Sequence, residues 1–339
     1  MITTYRVENG KLVVGEAPSP AALPPPVLPD QPPLPAIQPV WIDLLQPTPQ
    51  EERMVERLIG VELPTREEQQ EIEASSRLYR EGEALFLTAP FMYGSETGEL
   101  GSAAITFVLT TQTLVTVRHA TPKAFGMFAA RAQKNPTMVA TSDGVMLGLF
   151  EHVVDRLADI LERVAAEMDR RSHAAFKLAK SRETASAKDA ALKDALIALG
   201  QVGETTARAS DTLVGLSRIL AFIAVEKETA IRKENKPRIK TLARDVRGLQ
   251  EHAHFLNDKA TFLLDAVLGL INIEQTAVIK TFSVVAVALM PPTLIASIYG
   301  MNFQYMPELE WSIGYPLALA LMVASAVLPV MYFRRKGWL

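Results

Sequence analysis

Gly300–Met301–Asn302 closes a long apolar stretch, and Asn302 offers an uncharged amide oxygen there beside backbone carbonyls. Behind it, Ser297, Thr293, Met290, Ala286, Ser283, Ile279 and Thr276 follow at alternating steps of four and three, on one side of a helix. They are small or weakly polar, whereas Phe282, Val284, Val285, Leu289 and Leu294 point elsewhere. Such a stripe serves close helix packing in a membrane or lines a pore, and one chain alone leaves both open. Continued by sevens from Ile279, the same face passes through Asn272, Asp265, Asp258 and Glu251. Packing alone does not ask for stacked carboxylates. In several copies around an axis they would concentrate divalent cations below an opening. An oxygen ring without fixed charge suits a strongly hydrated cation such as magnesium, which gives up its waters reluctantly. Glu308 and Glu310, just past the Gly-Met-Asn run, would add an acidic collar.

These residues need an element that holds them in register across an apolar medium. From Thr281 to Phe333 the only charged residues are Glu308 and Glu310. Thr281 to Tyr299 and Ser312 to Phe333 are apolar runs of about 19 and about 22 residues, near the length that crosses a bilayer as a helix. The spans as a whole cover about 277–299 and 312–333, inside a hairpin of residues 276–339 with a short outer loop and a basic tail. Lys280 precedes the first span and Arg334, Arg335 and Lys336 follow the second, so the positive-inside rule places both termini in the cytoplasm. Tyr299, Trp311, Tyr315, Tyr332 and Trp338 sit near the span ends, as interfacial aromatics do. Pro291 and Pro292 lack amide hydrogens and should free carbonyls near Val287 and Ala288 and bend the helix. At membrane depth such carbonyls face protein or a water-filled cavity. Gly300 is expected to end the first span as a permissive turn.

The remainder of the 339 residues is dense in charge, with a net formal charge of −3 for the whole chain, which gives no reason to expect nucleic acid as a partner. There is no cysteine, and so no disulfide, thiolate nucleophile or cysteine-based metal centre. MITTYRVENG has no basic start followed by an apolar core, so no cleavable signal peptide is expected. Residues 1–40 are set apart as an N-terminal segment whose proline-rich stretch, Glu16 to Pro39, reads as an extended arm or spacer. Residues 41–144 read as a mixed α/β domain. PTPQEERMVERLIG has helix-start signals and apolar Met54, Val55, Leu58 and Ile59, and ATPKAFGMFAARAQ is a second helix. EALFLTAPFMY, SAAITFVLTT and TLVTVRH are β-branched or aromatic runs read as strands.

Residues 145–275 read as a helical hairpin, about Val145 to Glu234, and a long stalk helix that starts near Pro237. Leu242, Val246, Leu249, Ala253, Leu256, Ala260, Leu263, Val267 and Leu270 form an apolar heptad seam. No helix breaker separates this seam from the first span, so stalk and membrane helix are expected to be one rod of roughly 90 Å. Its faces call for neighbours from the chain's own hairpin and from other subunits.

The Gly300–Met301–Asn302 signature in YGMNF, MPELEW after it, two terminal spans and the closing YFRRKGWL resemble the CorA family of magnesium channels. WIDLLQPTPQEE, IEASSRLY and GLINIEQ resemble the same family. The resemblance implies an α+β cytoplasmic domain followed by a long helical stalk and two transmembrane helices, assembled as a funnel-shaped homopentamer in a bacterial-type inner membrane. It implies magnesium as both transported and regulatory ion, possible passage of cobalt and nickel, and no organic cofactor. By the same resemblance, Asn302 meets hydrated magnesium at the entrance, with Thr293, Met290 and Thr276 further in; Ser283 joins this pore set from its place in the stripe. Lys280, Arg334, Arg335 and Lys336 surround the inner mouth. Asp258 and Asp265, and more weakly Asp245, match acidic positions that bind cytosolic magnesium between subunits and close the channel. One departure stands out: the family's inner asparagine is Thr276, in EQT.

Two other readings compete with this one. A zinc transporter shares the architecture, and EHAH supplies His252 and His254, but residues two apart on a helix do not share a face. A membrane-anchored sensor that moves no ions would have no use for a polar stripe ending in this signature. Enzymatic activity finds no support, because no G-x-S-x-G, H-E-x-x-H or P-loop pattern occurs.

Overall fold

The computed structural model describes residues 1–8, 11–15, 39–96, 98–134, 141–179, 181, 185–226, 231–302, 304 and 306–338, without the side chains of residues 74, 179, 185, 308 and 309. The proline-rich stretch therefore lies outside the described residues except for its last position. Two units make up the chain: Met1–Arg170 with Leu199–Phe262, and Arg171–Ala198 with Leu263–Leu339.

The first unit is organised by a seven-stranded sheet in the order β2-β1-β3-β7-β6-β5-β4. Its strands are β1 (Ile2–Glu8), β2 (Lys11–Gly15), β3 (Trp41–Leu45), β4 (Leu78–Glu81), β5 (Ala84–Tyr93), β6 (Gly101–Leu109) and β7 (Leu114–Arg118). Only β3 and β7 run parallel, with Trp41 opposite Leu114; the other neighbours are antiparallel. β5, β6 and β7 fall on the three runs read as strands above. The sheet also takes in Ile2–Glu8 and Lys11–Gly15, which the sequence reading set apart with the arm. The reason is long-range: β1 pairs with β3 across the arm, and Tyr5 stacks on Trp41 at 4.3 Å between ring centroids.

Every residue of β7 is buried, because both faces of the sheet are covered. On one face Ile42, Leu44, Phe86, Val108, Val115 and Val117 pack with Val55 of α1 (Pro49–Ile59). That helix starts where expected: Thr48 and Glu51 form a reciprocal capping box and Pro49 opens the first turn. On the other face Trp41 meets Phe128 of α4 (Lys123–Ala132) edge-on, and Phe107 meets Phe150 of α5 (Ser142–Ala179) at 5.0 Å. Each ring buries roughly 150–250 Å², or about 4–6 kcal/mol before entropy is charged. Two short helices, α2 (Arg66–Gln70) and α3 (Ala74–Arg77), complete this domain.

The long helices are α5, α6 (Ala185–Val225) and α7 (Lys236–Tyr299). α7 runs 64 residues without interruption and passes through Pro291 and Pro292, so stalk and first span are one helix. Leu242, Val246, Ala253, Leu256, Ala260, Leu263 and Val267 of the predicted seam are buried, Leu249 and Leu270 are half-buried, and Ile271 takes the last buried position. In the first unit the start of α7 is held by buried Asp143. Thr141 donates its hydroxyl hydrogen to Asp143 at 2.5 Å, Asn235 Nδ2 donates at 2.7 Å and the Arg232 amide at 2.9 Å. Burial works to raise the Asp143 pKa, but these bonds outweigh it and hold the carboxyl below its ordinary value. Arg238 adds a two-pronged pair to Glu151 at 2.9 and 3.0 Å.

In the second unit Lys188 of α6 donates to Glu274 of α7 at 3.1 Å. The outer end of α7 leads through a 3₁₀ turn, Pro307–Glu310, to α8 (Gly314–Arg335). Among the described residues, these are the helices long and apolar enough to cross a membrane.

Candidate functional site

The membrane part of α7 has a buried side and an open side. Val284 and Ala288 are buried, and Pro291, Pro292 and Ile295 are half-buried. At about 100° per residue, these positions lie on roughly the opposite side of the helix from Thr276, Ile279, Ser283, Ala286, Met290, Thr293 and Ser297. All seven of that stripe are exposed, Met290 at 68% and Ile279 at 64%. The hairpin thus covers one face of its first helix and leaves the rest open, the oxygen-bearing stripe together with apolar Phe282, Leu289 and Leu294.

Two hydroxyls of the stripe are oriented by the helix itself. Thr276 donates to the Asn272 carbonyl and Thr293 to the Leu289 carbonyl, each at 2.7 Å. With the hydroxyl hydrogen committed to the backbone, each Oγ1 has only lone pairs to present outward. An acceptor face of this kind receives hydrogen bonds from water, including water polarised by a cation.

At the outer end the structure corrects one expectation about Gly300. Its backbone is not left-handed, unlike Gly337. The Gly300 amide donates to Ala296 at 3.0 Å and that of Met301 to Ile298 at 3.3 Å, tightening the last turn. A Cβ on Gly300 would lie 3.1 Å from the Ala296 carbonyl oxygen. That contact is tight, and no special dihedral angle calls for glycine here. Met301 and Asn302 follow, both exposed. Glu310 is exposed in the outer turn, and the side chain of Glu308 lies outside those described.

Along the stalk, Glu251, Asp258, Asp265 and Asn272 are exposed. Asp245 is exposed too, but it sits about 140° round the helix from Asp258 and does not join that row. His252 and His254 are exposed on different sides of α7, and no cluster of three or more metal-ligating side chains occurs among the described residues. At the other end of the hairpin, Lys280 Nζ lies 5.8 Å from the ring of Trp338, and Lys336 Nζ lies 5.3 Å from that of Tyr332. The sequence reading grouped the basic residues but did not find these ring partners; Trp338 carries no local signal beyond being an interfacial aromatic.

A soluble α/β domain, a continuous helix that enters a two-helix membrane hairpin, and an acceptor-lined face on the first membrane helix together define a membrane ion transporter. The family model described as CorA-like Mg2+ transporter protein matches residues 37–335, and the chain belongs to that family. This is a family of transporters, not enzymes. The magnesium transport protein CorA of Haemophilus influenzae Rd is 35% identical over 300 residues, 88% of this chain and 92% of that protein. The protein of the same name from Escherichia coli K12 is 33% identical over 310 residues, 90% of this chain and 93% of its own length. The complete structure of the CorA magnesium transporter from Methanocaldococcus jannaschii superposes with a TM-score of 0.72 at 19% identity, covering 100% of this chain and 99% of that one.

Proposed function

We propose that the chain carries magnesium across the bacterial inner membrane through a pore lined by α7 in a homopentamer, with both termini in the cytoplasm. The observation that supports this most directly is the exposed acceptor face from Thr276 to Ser297, turned away from Val284 and Ala288 and ending at Asn302. The magnesium transport proteins it resembles along most of their length supply the ion. Asn302 meets the ion with its water shell intact: the amide oxygen and neighbouring carbonyls accept hydrogen bonds from shell water, which costs less than stripping it. Met290, Thr293, Ser283 and Thr276 continue the path inward, the Oγ1 lone pairs of the two threonines serving the same shell. Glu308 and Glu310 attract cations to the mouth. Lys280, Arg334, Arg335 and Lys336 ring the inner exit. Cytosolic magnesium binds at Asp258 and Asp265 between subunits and favours the closed state; Asp245, off that row, is the weaker ligand. Cobalt and nickel share the route to the extent that their hydrated ions fit the same oxygens.

Uptake into proteoliposomes with an internal magnesium-sensitive dye tests the reading, comparing wild type with Asn302→Ala. We expect magnesium entry in wild type and a fall of at least about tenfold in the variant, the scale of one lost hydrogen-bonding group per subunit. Entry of zinc without magnesium would replace this reading with the zinc transporter. No flux of any divalent ion would leave a membrane sensor.

A further inference from the structure

The end of α8 is built rather than frayed. Gly337 takes a left-handed φ of 72°, its amide donates to the Arg334 carbonyl at 3.2 Å, and the Trp338 amide donates to that of Phe333 at 3.0 Å. This is a Schellman cap, and its usual apolar contact is present as Trp338 stacked on Phe333 at 5.1 Å. The cap folds the indole back beside the hairpin, where Lys280 from α7 sits over its face. Lys336 sits over Tyr332 in the same way. The result is an aromatic platform that holds two ammonium groups, with Arg334 and Arg335 exposed next to it.

No acidic side chain pairs with this charge among the described residues, and Glu274, the nearest before Lys280, pairs with Lys188. From Gln275 to Leu339 the only acidic residues are Glu308 and Glu310, at the opposite end of the hairpin. Lys280, Arg334, Arg335 and Lys336 take part in no ion pair among the described residues. They lie directly where an apolar helix leaves the bilayer, the depth of the headgroup phosphates. We infer that the capped tail and Lys280 form a binding site for the headgroup phosphate of an anionic phospholipid. The arginines clamp phosphate oxygens, while Trp338 and Tyr332 seat the platform at the interface. The site is independent of which ion the protein carries and of the side of the membrane that the tail faces.

The test is native mass spectrometry of the detergent-solubilised full-length protein, titrated with phosphatidylglycerol and, separately, phosphatidylcholine. Wild type should retain phosphatidylglycerol preferentially. Neutralising Arg334 and Arg335 together (Arg334→Gln, Arg335→Gln) should weaken that retention about thirtyfold, roughly fivefold for each charge removed. Trp338→Ala should weaken it with all four cations still present, and Trp338→Phe should restore part of it. Equal retention of both lipids by wild type, or an undiminished preference in the double variant, overturns the proposal. So does displacement of phosphatidylglycerol by glycerol 3-phosphate at comparable concentration, because the site would then read free phosphate and not lipid. The readout is binding, so loss of transport in these variants through a changed pore exit would not mimic the result.

Discussion

Asp143→Ala should unlock the start of the stalk helix. Asp143 is fully buried and receives the Asn235 side-chain amide at 2.7 Å and the Arg232 backbone amide at 2.9 Å. Deleting the carboxylate leaves both donors without their acceptor, and each buried donor so orphaned costs about 1–3 kcal/mol. Asn235 is 7% exposed and bears the full cost, whereas water reaches exposed Arg232 and softens its loss. The sum is about 3 kcal/mol, which corresponds to local opening about 150-fold more frequent. Amide hydrogen exchange followed by mass spectrometry reads this directly, through peptides covering 231–242, in the assembled detergent-solubilised protein. Exchange there should accelerate by about two orders of magnitude, while peptides from β5 to β7 stay protected. The Asp143 carboxyl titrates below its ordinary range, so its contribution is fully present above the unfolded value near 3.9. It drains away only as pH falls through the lower folded value. After correction for intrinsic rates, the difference between wild type and variant should therefore be constant from pH 5 to pH 7. Less than threefold acceleration, or acceleration spread evenly over the soluble unit, would refute the assignment of Asp143 as the local lock.

Three further outcomes follow from named groups. Thr276→Val keeps the shape but removes the outward lone pairs, so magnesium uptake should fall by roughly tenfold, while Thr276→Ser should stay near wild type. The double change Asp258→Asn, Asp265→Asn should abolish the magnesium-dependent rise in thermal midpoint, worth about 1.4 kcal/mol at ten times the dissociation constant; an unchanged rise would move the regulatory site elsewhere. Burial, assisted by Arg66, holds His119 below its ordinary pKa. Its neutral form is the folded one, so stability should be complete above about pH 6.5 and decline as pH falls below it; the difference in denaturant midpoint between wild type and His119→Gln should be constant above that value and change only below it.

Much of this protein was legible without coordinates, for reasons that can be stated residue by residue. The spans announce themselves because lipid tolerates almost no charge over about 20 residues, and Thr281 to Tyr299 carries none. The heptad seam from Leu242 to Val267 is readable because helix periodicity is a local property, and the structure buries most of it. The acceptor stripe was legible by the same rule, but which face it occupies relative to the hairpin's own packing was not: that required Val284 and Ala288 to be seen buried. Partners far apart in sequence leave no periodic trace. β1 finds β3 across the proline-rich stretch, and Asp143 finds Asn235 at a sequence separation of 92. Lys280 finds Trp338 only after the hairpin turns back. Local chemistry determined which residues form helix, strand and span, since propensity and hydropathy act over a few turns. Only the tertiary structure decided what those elements hold in place, because that depends on contacts formed once the chain has closed on itself.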